Sequence, residues 1–415
     1  MPLLAAAAGP DAQAVSTVLL ALACAIVGAR LAGEAVERSG QPAVLGELLF
    51  GVLAGNATLL GGPDLSALAT SETLTVLAEL GAVLLLFQVG LESTPKEMLA
   101  VGGRATLVAV TGVVAPMLLG FGVGRVARPQ EPWMLHVFLG AMLAATSVGI
   151  TARVLKDAGV LQAPFARIIL GAAVIDDVLG LIVLAVVSGI ITAAAGGSAL
   201  SAMAVGAIVA KAVGFLAGAL VVGSLLSPRL FRGALALRSQ RVVLTLSLAF
   251  YFALAYLALR AGLAPIVGAF AAGLVLEDVH FEGHRSRGEP PLHESLEPLT
   301  VLLVPVFFVR MGMLVDLRSF ASGEVLGFAT LLTLAAVLGK LACGLVGPQG
   351  VSRLTLGLGM MPRGEVGLIF AGIGAQLVLN GRPVVDAGTY AAAVFMVVAT
   401  TILTPPLLLW SLRQR

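Results

Sequence analysis

Charged residues are scarce in this sequence of 415 residues, because Asp, Glu, Lys and Arg together make up only 12% of it. An average soluble domain carries about 25%. Hydrophobic residues make up 59%, and the mean hydropathy is +1.03. This composition excludes a water-soluble globular protein, since most of the chain must face lipid or other helices. The formal net charge of +2 gives no reason to expect nucleic acid as a partner.

Cysteine is also scarce. Cys24 and Cys343 are the two present, and both lie in apolar runs, which argues against both a disulfide framework and a cysteine-based metal site. The opening residues lack the basic segment of a cleaved signal peptide, so we interpret the first apolar run as a retained membrane span. We expect no cofactor.

Apolar runs long enough to cross a bilayer recur along the whole chain. One span needs roughly 20 residues, and runs of this length exclude the strands of a membrane barrel, which have about ten. We therefore predict an all-α, polytopic membrane protein. The thirteen predicted helices lie at 13–33, 41–60, 73–91, 103–125, 133–155, 162–190, 199–226, 239–260, 262–278, 293–316, 322–345, 352–377 and 386–411.

Basic residues set the expected orientation. With an external N-terminus, most Lys and Arg of the loops fall on the cytoplasmic side, as the positive-inside rule requires. The predicted loop 227–241, with four arginines, is the strongest anchor. We therefore predict a bacterial inner-membrane protein with a cytoplasmic C-terminus. No hydrophilic stretch follows the last helix, so we expect no soluble regulatory domain.

Six helices, a linker and six helices fit two repeats of opposite topology, the common plan of secondary transporters. The fifth and twelfth spans occupy matching places and each has a polar, breakable centre. In the fifth, Thr146 and Ser147 lie in AATSVGIT. Unwinding there would free carbonyl oxygens, the ligands that a hard cation such as Na⁺ prefers. The alternative is a continuous helix whose hydroxyls bond to its own carbonyls.

The twelfth span contains MMPRGEVG, where Pro362 lacks an amide donor and Gly364 loosens the turn. We predict a break near Arg363. Arg363 and Glu365 would pair with each other across it or with other core charges; alternatively, Pro362 and Glu365 mark an ordinary helix start. Arg310, in VPVFFVRMGM, is a further charge in an apolar setting. Gating of an ion funnel and snorkelling to the interface are both open for it.

Two adjacent carboxylates, Asp176 and Asp177, lie midway along the sixth span in GAAVIDDVLGLIVLAVV. A carboxylate at that depth costs on the order of 3 kcal/mol. Successive helical residues point about 100° apart, so one carboxylate can line a water-filled cavity while the other meets a neighbouring helix. The alternative is a polar pair that only joins helices, although Ser, Thr or Asn would do this at lower cost.

The natural countercharge is Lys340, deep in TLAAVLGKLACGLVG of the eleventh span. Burial opposes the charging of both partners while pairing favours it, so such a pair can titrate near physiological pH. Proton coupling requires this property. The alternative is a lysine that snorkels to the cytoplasmic interface.

Several segments resemble the bacterial monovalent cation:proton antiporter superfamily, closest to its NapA-type Na⁺/H⁺ antiporters, with GerN and Kef proteins as relatives. Among them are QPAVLGELLFGVLAGN, ATSVGITARVL, GAAVIDDVLGLIVLAV and MMPRGEVGLIFAGIGA. The resemblance runs from about residue 15 to the C-terminus. It implies thirteen helices with two crossing, broken ones, and a homodimer. It also implies a dimerisation domain and a mobile core, which we place at 13–60 with 199–278 and at 73–190 with 293–411.

The resemblance also implies roles for single residues. Asp177 would be the principal cation ligand, and Asp176 would pair with Lys340 and release it when the ion binds. Thr146 matches a threonine near the ion. Ser147 falls where the distant relative NhaA has an aspartate, so that carboxylate is absent here. Kef proteins carry Gln-Asp at the pair and a nucleotide-binding domain, and both differences favour Na⁺/H⁺ exchange.

We therefore predict a secondary transporter rather than an enzyme. It would exchange Na⁺ or Li⁺ for H⁺ by alternating access, in sodium tolerance and pH homeostasis. The Lys340 match implies electrogenic exchange of two protons per Na⁺. The alternatives are K⁺/H⁺ exchange on the same scaffold, an ion-binding membrane sensor, and an intramembrane aspartyl protease. A protease needs two carboxylates that meet face to face, usually from separate helices, whereas these adjoin on one.

Overall fold

The computed structural model describes residues 10–92, 102–160, 163–197, 202–235, 242–276, 291–348 and 351–413. These residues are almost entirely helical. The first eight α-helices are α1 Pro10–Glu37, α2 Ala43–Gly55, α3 Ser66–Ala69, α4 Glu72–Glu92, α5 Gly102–Ala127, α6 Trp133–Ala144, α7 Val148–Asp157 and α8 Pro164–Ala195. The others are α9 Ala202–Leu235, α10 Val242–Arg260, α11 Pro265–Leu276, α12 Leu292–Met313, α13 Gly323–Leu341, α14 Arg353–Gly359, α15 Glu365–Gln376 and α16 Ala387–Arg413. Short 3₁₀ turns cover Ala57–Leu60, Leu317–Ala321 and Ala342–Val346.

The predicted membrane-protein class is confirmed. Within the described residues, nine helices are long and apolar enough to cross a membrane, and shorter apolar helices accompany them. The number thirteen stays a prediction, because these shorter helices have 10–17 residues. The predicted loop 227–241 was partly wrong. Helix α9 continues to Leu235, and 236–241 lie outside the described residues.

A small hairpin follows α15, which the all-α prediction did not include. Strands β1 Val378–Leu379 and β2 Arg382–Pro383 pair antiparallel. Asn380 (φ 53°) and Gly381 (φ 77°) form the connection. A two-residue hairpin turn of this kind needs positive φ at both positions, and Asn-Gly is the sequence that adopts it most readily.

The described chain divides into two compact units. The first comprises Met1–Leu85 and Glu297–Leu317. Within it, Arg310 Nε donates a hydrogen bond to Ala69 O at 3.1 Å, and Arg310 lines a largely apolar cavity of about 420 Å³. Asn56 ties two segments together, because its Nδ2 donates to Val315 O and its Oδ1 accepts from Leu317 N.

The second unit comprises Leu86–Leu296 and Arg318–Arg415. Its helix α11 is apolar on every side, and all its residues from Ile266 to Leu276 are buried, as expected for a helix in the middle of a core. Both predicted broken spans and both aspartates belong to this unit. The predicted division into a dimerisation domain and a mobile core concerns contacts between two copies and movement between conformations. It stays a prediction.

Candidate ion-binding site

The fifth predicted span is broken at its centre, as its sequence indicated. Helix α6 ends at Ala144 and α7 begins at Val148, and the residues between them are not helical. Ala145 is extended, with φ −58° and ψ 142°. Thr146 and Ser147 lie in this break, and both are buried, at 2% and 3% exposure. The alternative of a continuous helix was wrong.

The twelfth predicted span is broken as well. Helix α14 ends at Gly359, α15 begins at Glu365, and the residues after Met360 leave the helical conformation until Glu365. Glu365 is therefore the first residue of a half-helix, as the helix-start interpretation requires. Its side chain lies outside the described part of the structure, so pairing between Glu365 and Arg363 stays a prediction.

The two breaks contact each other directly. Ser147 N donates to Pro362 O at 2.9 Å, and Thr151 Oγ1 donates to Gly359 O at 2.7 Å. Gly364 is needed at this contact, because a Cβ there would lie 2.6 Å from Ser147 Oγ. Backbone groups that unwinding releases must find partners in an apolar interior, and here each break supplies partners for the other.

Arg363 occupies the carbonyl end of the half-helix α6. Its Nη1 donates to Ala144 O at 3.2 Å and also to Ala145 O, while its Nη2 donates to Ala336 O at 3.3 Å. A cation is favourable at this helix end because the dipole there is negative. The expectation that unwinding leaves carbonyls for Na⁺ needs correction at these two positions, because the guanidinium already uses the oxygens of Ala144 and Ala145.

Asp176 is the centre of a buried polar cluster. Lys340 Nζ donates to its Oδ1 at 2.9 Å, and Thr146 Oγ1 donates to its Oδ2 at 2.7 Å. Asp176 and Lys340 are both 0% exposed. The lysine therefore does not snorkel, and α6–α7, α8 and α13 meet at one carboxylate.

Asp177 is also buried, but 7% of it remains exposed. Adjacent positions on α8 point in different directions, so Asp177 does not share the surroundings of Asp176. The structure thus brings Asp176, Thr146 and Lys340 together and places Asp177 beside them. Their roles as ion ligands and proton carriers stay predictions.

The positions of Gly112 and Cys343 beside the ion pair were not predicted from the sequence. A Cβ built on Gly112 of α5 would lie 3.2 Å from each of Asp176 Oδ1, Lys340 Nζ and Cys343 Sγ. Cys343, which is 0% exposed, follows Lys340 by three residues and could have been placed on its side of the helix. Gly112 has no such signal, because only the packing of α5 against α13 brings it here.

Comparisons with known proteins show the family of this chain. A family described as sodium/hydrogen exchanger, transmembrane, matches residues 3–410. The chain belongs to this family. It is 37% identical to the high-affinity Na⁺/H⁺ antiporter NhaS3 of Synechocystis, over 94% of this chain and 88% of that relative. It is also 33% identical to the Na⁺/H⁺-K⁺ antiporter GerN of Bacillus cereus, over 93% and 94% of the two chains.

The exchanger fold is shared with a solved structure. The sodium proton antiporter MjNhaP1 of Methanocaldococcus jannaschii superposes with a TM-score of 0.74 at 20% identity. The match covers 94% of this chain and 97% of that one. The predicted superfamily is confirmed by the family match over residues 3–410 and by the two curated relatives, and the chain is a multi-pass membrane protein.

Proposed function

We propose that this chain is a secondary transporter, not an enzyme, that exchanges Na⁺ or Li⁺ for H⁺. Membership of the exchanger family supports this, as do relatives named Na⁺/H⁺ antiporters that match nearly the whole chain. The carrying observation is the site itself: a carboxylate with residual exposure, Asp177, lies next to a carboxylate whose charge is balanced by Lys340.

The exchange follows from competition for one carboxylate. Ionised Asp177 binds Na⁺, a hard cation that prefers oxygen ligands. The Thr146 hydroxyl oxygen adds a second ligand, because donating its proton to Asp176 leaves its lone pairs unused by that bond. When protons reach Asp177 from the other side of the membrane, the carboxylate becomes neutral and the cation leaves.

Lys340 supplies a second proton-carrying position. When the cation arrives beside Asp176, the Asp176 carboxylate attracts the Lys340 ammonium group less strongly. Lys340 then releases a proton, because an unpaired charge is costly in this interior. Two groups that each carry a proton support electrogenic exchange of two protons per Na⁺. Arg363 keeps its charge throughout, since guanidinium groups do not lose it in proteins, and it stabilises the broken helix.

Transport requires that the site open to each side in turn. In our proposal, the core domain moves against a dimerisation domain in a homodimer, in the bacterial inner membrane, with the N-terminus outside. Exchange in this arrangement serves sodium tolerance and pH homeostasis. The placement of arginines in the sequence supports the orientation.

K⁺ is the second candidate ion. The name of the relative GerN includes K⁺ as well as Na⁺, and the carboxylate of Asp177 can bind either cation. The Asp176-Asp177 pair favours Na⁺ by resemblance, because Kef proteins carry Gln-Asp at these positions.

The test is dissipation of a pH gradient in proteoliposomes on addition of Na⁺, Li⁺ or K⁺, with wild type beside Asp177→Asn. We expect Na⁺ and Li⁺ to dissipate the gradient in wild type and not in the variant. A response to K⁺ alone would replace the ion and keep the scaffold. An unimpaired Asp177→Asn variant, or no response to any cation, would overturn the proposal.

A further inference from the structure

Gly180 of α8 borders an internal space beside the aspartate pair. It is buried, yet a Cβ built on it meets no atom of the described residues within 4 Å. A glycine on the outer surface of the chain combines open surroundings with exposure, as Gly214 of α9 does. The combination of burial and open surroundings therefore indicates a recess in the protein rather than its outer surface.

This recess lies next to Asp177 rather than at a distant point. Gly180 follows Asp177 by three residues and Asp176 by four on the same helix, and residues three or four apart on a helix are neighbours, with about 5–6 Å between Cβ atoms. Asp177 also keeps 7% exposure whereas Asp176 keeps none. The carboxylate that retains exposure is thus about one turn from a position whose Cβ would meet no described atom within 4 Å.

The other side of the pair is closed. Both oxygens of Asp176 accept hydrogen bonds, from Lys340 and Thr146, and the space at Gly112 is bounded by three polar atoms at 3.2 Å. A cation cannot approach through this side without displacing the ion pair first. Among the described residues, the space beside Gly112 is therefore filled, whereas the space beside Gly180 is open.

We propose that Gly180 lines the route by which the cation reaches Asp177, and that its missing side chain sets the width of that route. This rests on the proposed exchange function and adds a residue that determines access and ion size. A side chain at position 180 narrows the recess without removing any charged or polar ligand. The effect is therefore on entry of the cation, measured as a higher KM, while every group that binds Na⁺ or H⁺ in the proposed mechanism stays in place.

The first test introduces a cysteine at this position. In a Cys24→Ser background, which retains buried Cys343, Gly180→Cys and the control Gly214→Cys, on the exposed face of the long apolar helix α9, are treated with a membrane-impermeant, positively charged methanethiosulfonate reagent. We expect Gly180→Cys to react faster than Gly214→Cys and to lose exchange on reaction. Reaction no faster than the control, or exchange that survives complete labelling, would overturn the proposal.

A second measurement does not depend on the cysteine variant. In Gly180→Ala and Gly180→Val we expect the KM for Na⁺ to rise stepwise, by about tenfold for valine, with Li⁺ affected less because it is smaller. Equal KM values in wild type and both variants would overturn the route. If wild type itself exchanges no cation, the proposed function fails instead, so the two failures are distinguishable.

Discussion

Lys340 Nζ lies 2.9 Å from Asp176 Oδ1, and neither side chain has any exposed surface. Each charge offsets the cost of burying the other, and removal of one partner from such a pair typically costs about 3–5 kcal/mol. We expect Lys340→Met to lower the free energy of unfolding by about 3 kcal/mol. Thermal unfolding of the purified protein in detergent measures this change.

The double variant Asp176→Asn, Lys340→Met is the control for this prediction. It removes both charges, so we expect it to be more stable than Lys340→Met alone, a strongly non-additive cycle. If the loss of stability in the double variant equals the sum of the losses in Asp176→Asn and Lys340→Met, the two residues do not stabilise each other across 2.9 Å.

Competition between H⁺ and the cation gives a kinetic prediction. If both bind Asp177, the KM for Na⁺ rises as pH falls, by up to about tenfold per pH unit. The maximal rate at saturating Na⁺ should change much less, because excess cation displaces the proton. Initial rates across a pH series in proteoliposomes check this. A maximal rate that falls with pH at constant KM would place the pH dependence in a different group.

The breaks and the buried charges could be predicted from the sequence because their signals are local. Hydroxyls and glycine at 144–151, and Pro362 with Gly364, disfavour a continuous helix whatever packs against them. Asp176 and Lys340 each stand in a long apolar run, and buried opposite charges must find each other. The number of possible partners is small in a chain with so few charges.

Contacts between distant segments could not be predicted in the same way. The partners of the Arg363 guanidinium are backbone carbonyls of Ala144, Ala145 and Ala336, which no side-chain pattern marks. The loop predicted at 227–241 began too early, because the polar residues and Pro228 indicated a break after residue 226, whereas α9 continues through Pro228 to Leu235. The Asn380-Gly381 turn has a local signal, because Asn-Gly favours a two-residue hairpin, but the sequence prediction contained no strands.

Arg363 should matter more for stability than a single hydrogen bond would suggest. It donates to three buried carbonyls, and each carbonyl left without a donor costs about 1–3 kcal/mol. We expect Arg363→Gln to lose about 3 kcal/mol or more of unfolding free energy, and Arg363→Lys to lose less because it keeps the charge. Chemical or thermal unfolding in detergent checks the order.

Thr401→Val is the matched control for Arg363. It removes one hydrogen bond, from Thr401 Oγ1 to Arg363 O at 2.6 Å, and should cost about 1 kcal/mol. An equal loss in Thr401→Val and Arg363→Gln would contradict a special role for the guanidinium at the end of α6.

Gly364 and Ser147 form a steric pair at the contact of the two breaks. A Cβ at position 364 would lie 2.6 Å from Ser147 Oγ and 2.7 Å from Ser147 Cβ, closer than atoms can pack. We expect Gly364→Ala to cost about 1–3 kcal/mol of stability and to impair exchange. Adding Ser147→Gly removes both clashing atoms and should recover part of the stability. If the second substitution makes the protein worse, the clash is not the cause.

Asp386 precedes α16 and lies outside the membrane-spanning helices, and it gives a prediction for the stability of the protein at acid pH. Burial raises the pKa of Asp386, but hydrogen bonds from Thr389 and Arg128 outweigh it and hold the pKa below its usual range. Its contribution to stability is therefore present at neutral pH and is lost as pH falls through the folded-state pKa. Asn also caps helices, so Asp386→Asn removes only the half-exposed ion pair, worth less than about 1 kcal/mol.

The two substitutions at Asp386 should consequently separate in their pH dependence. The melting temperature of Asp386→Asn should lie slightly below that of wild type at about pH 7 and converge with it as pH falls through the lowered folded-state pKa of Asp386, where the wild-type carboxyl becomes protonated. Asp386→Ala also loses the bond from Thr389 N at 2.7 Å, so it should be less stable by about 1 kcal/mol at neutral pH. If the difference in melting temperature between wild type and Asp386→Asn grows on acidification, the prediction is wrong. The folded state would then stabilise Asp386 as the neutral acid.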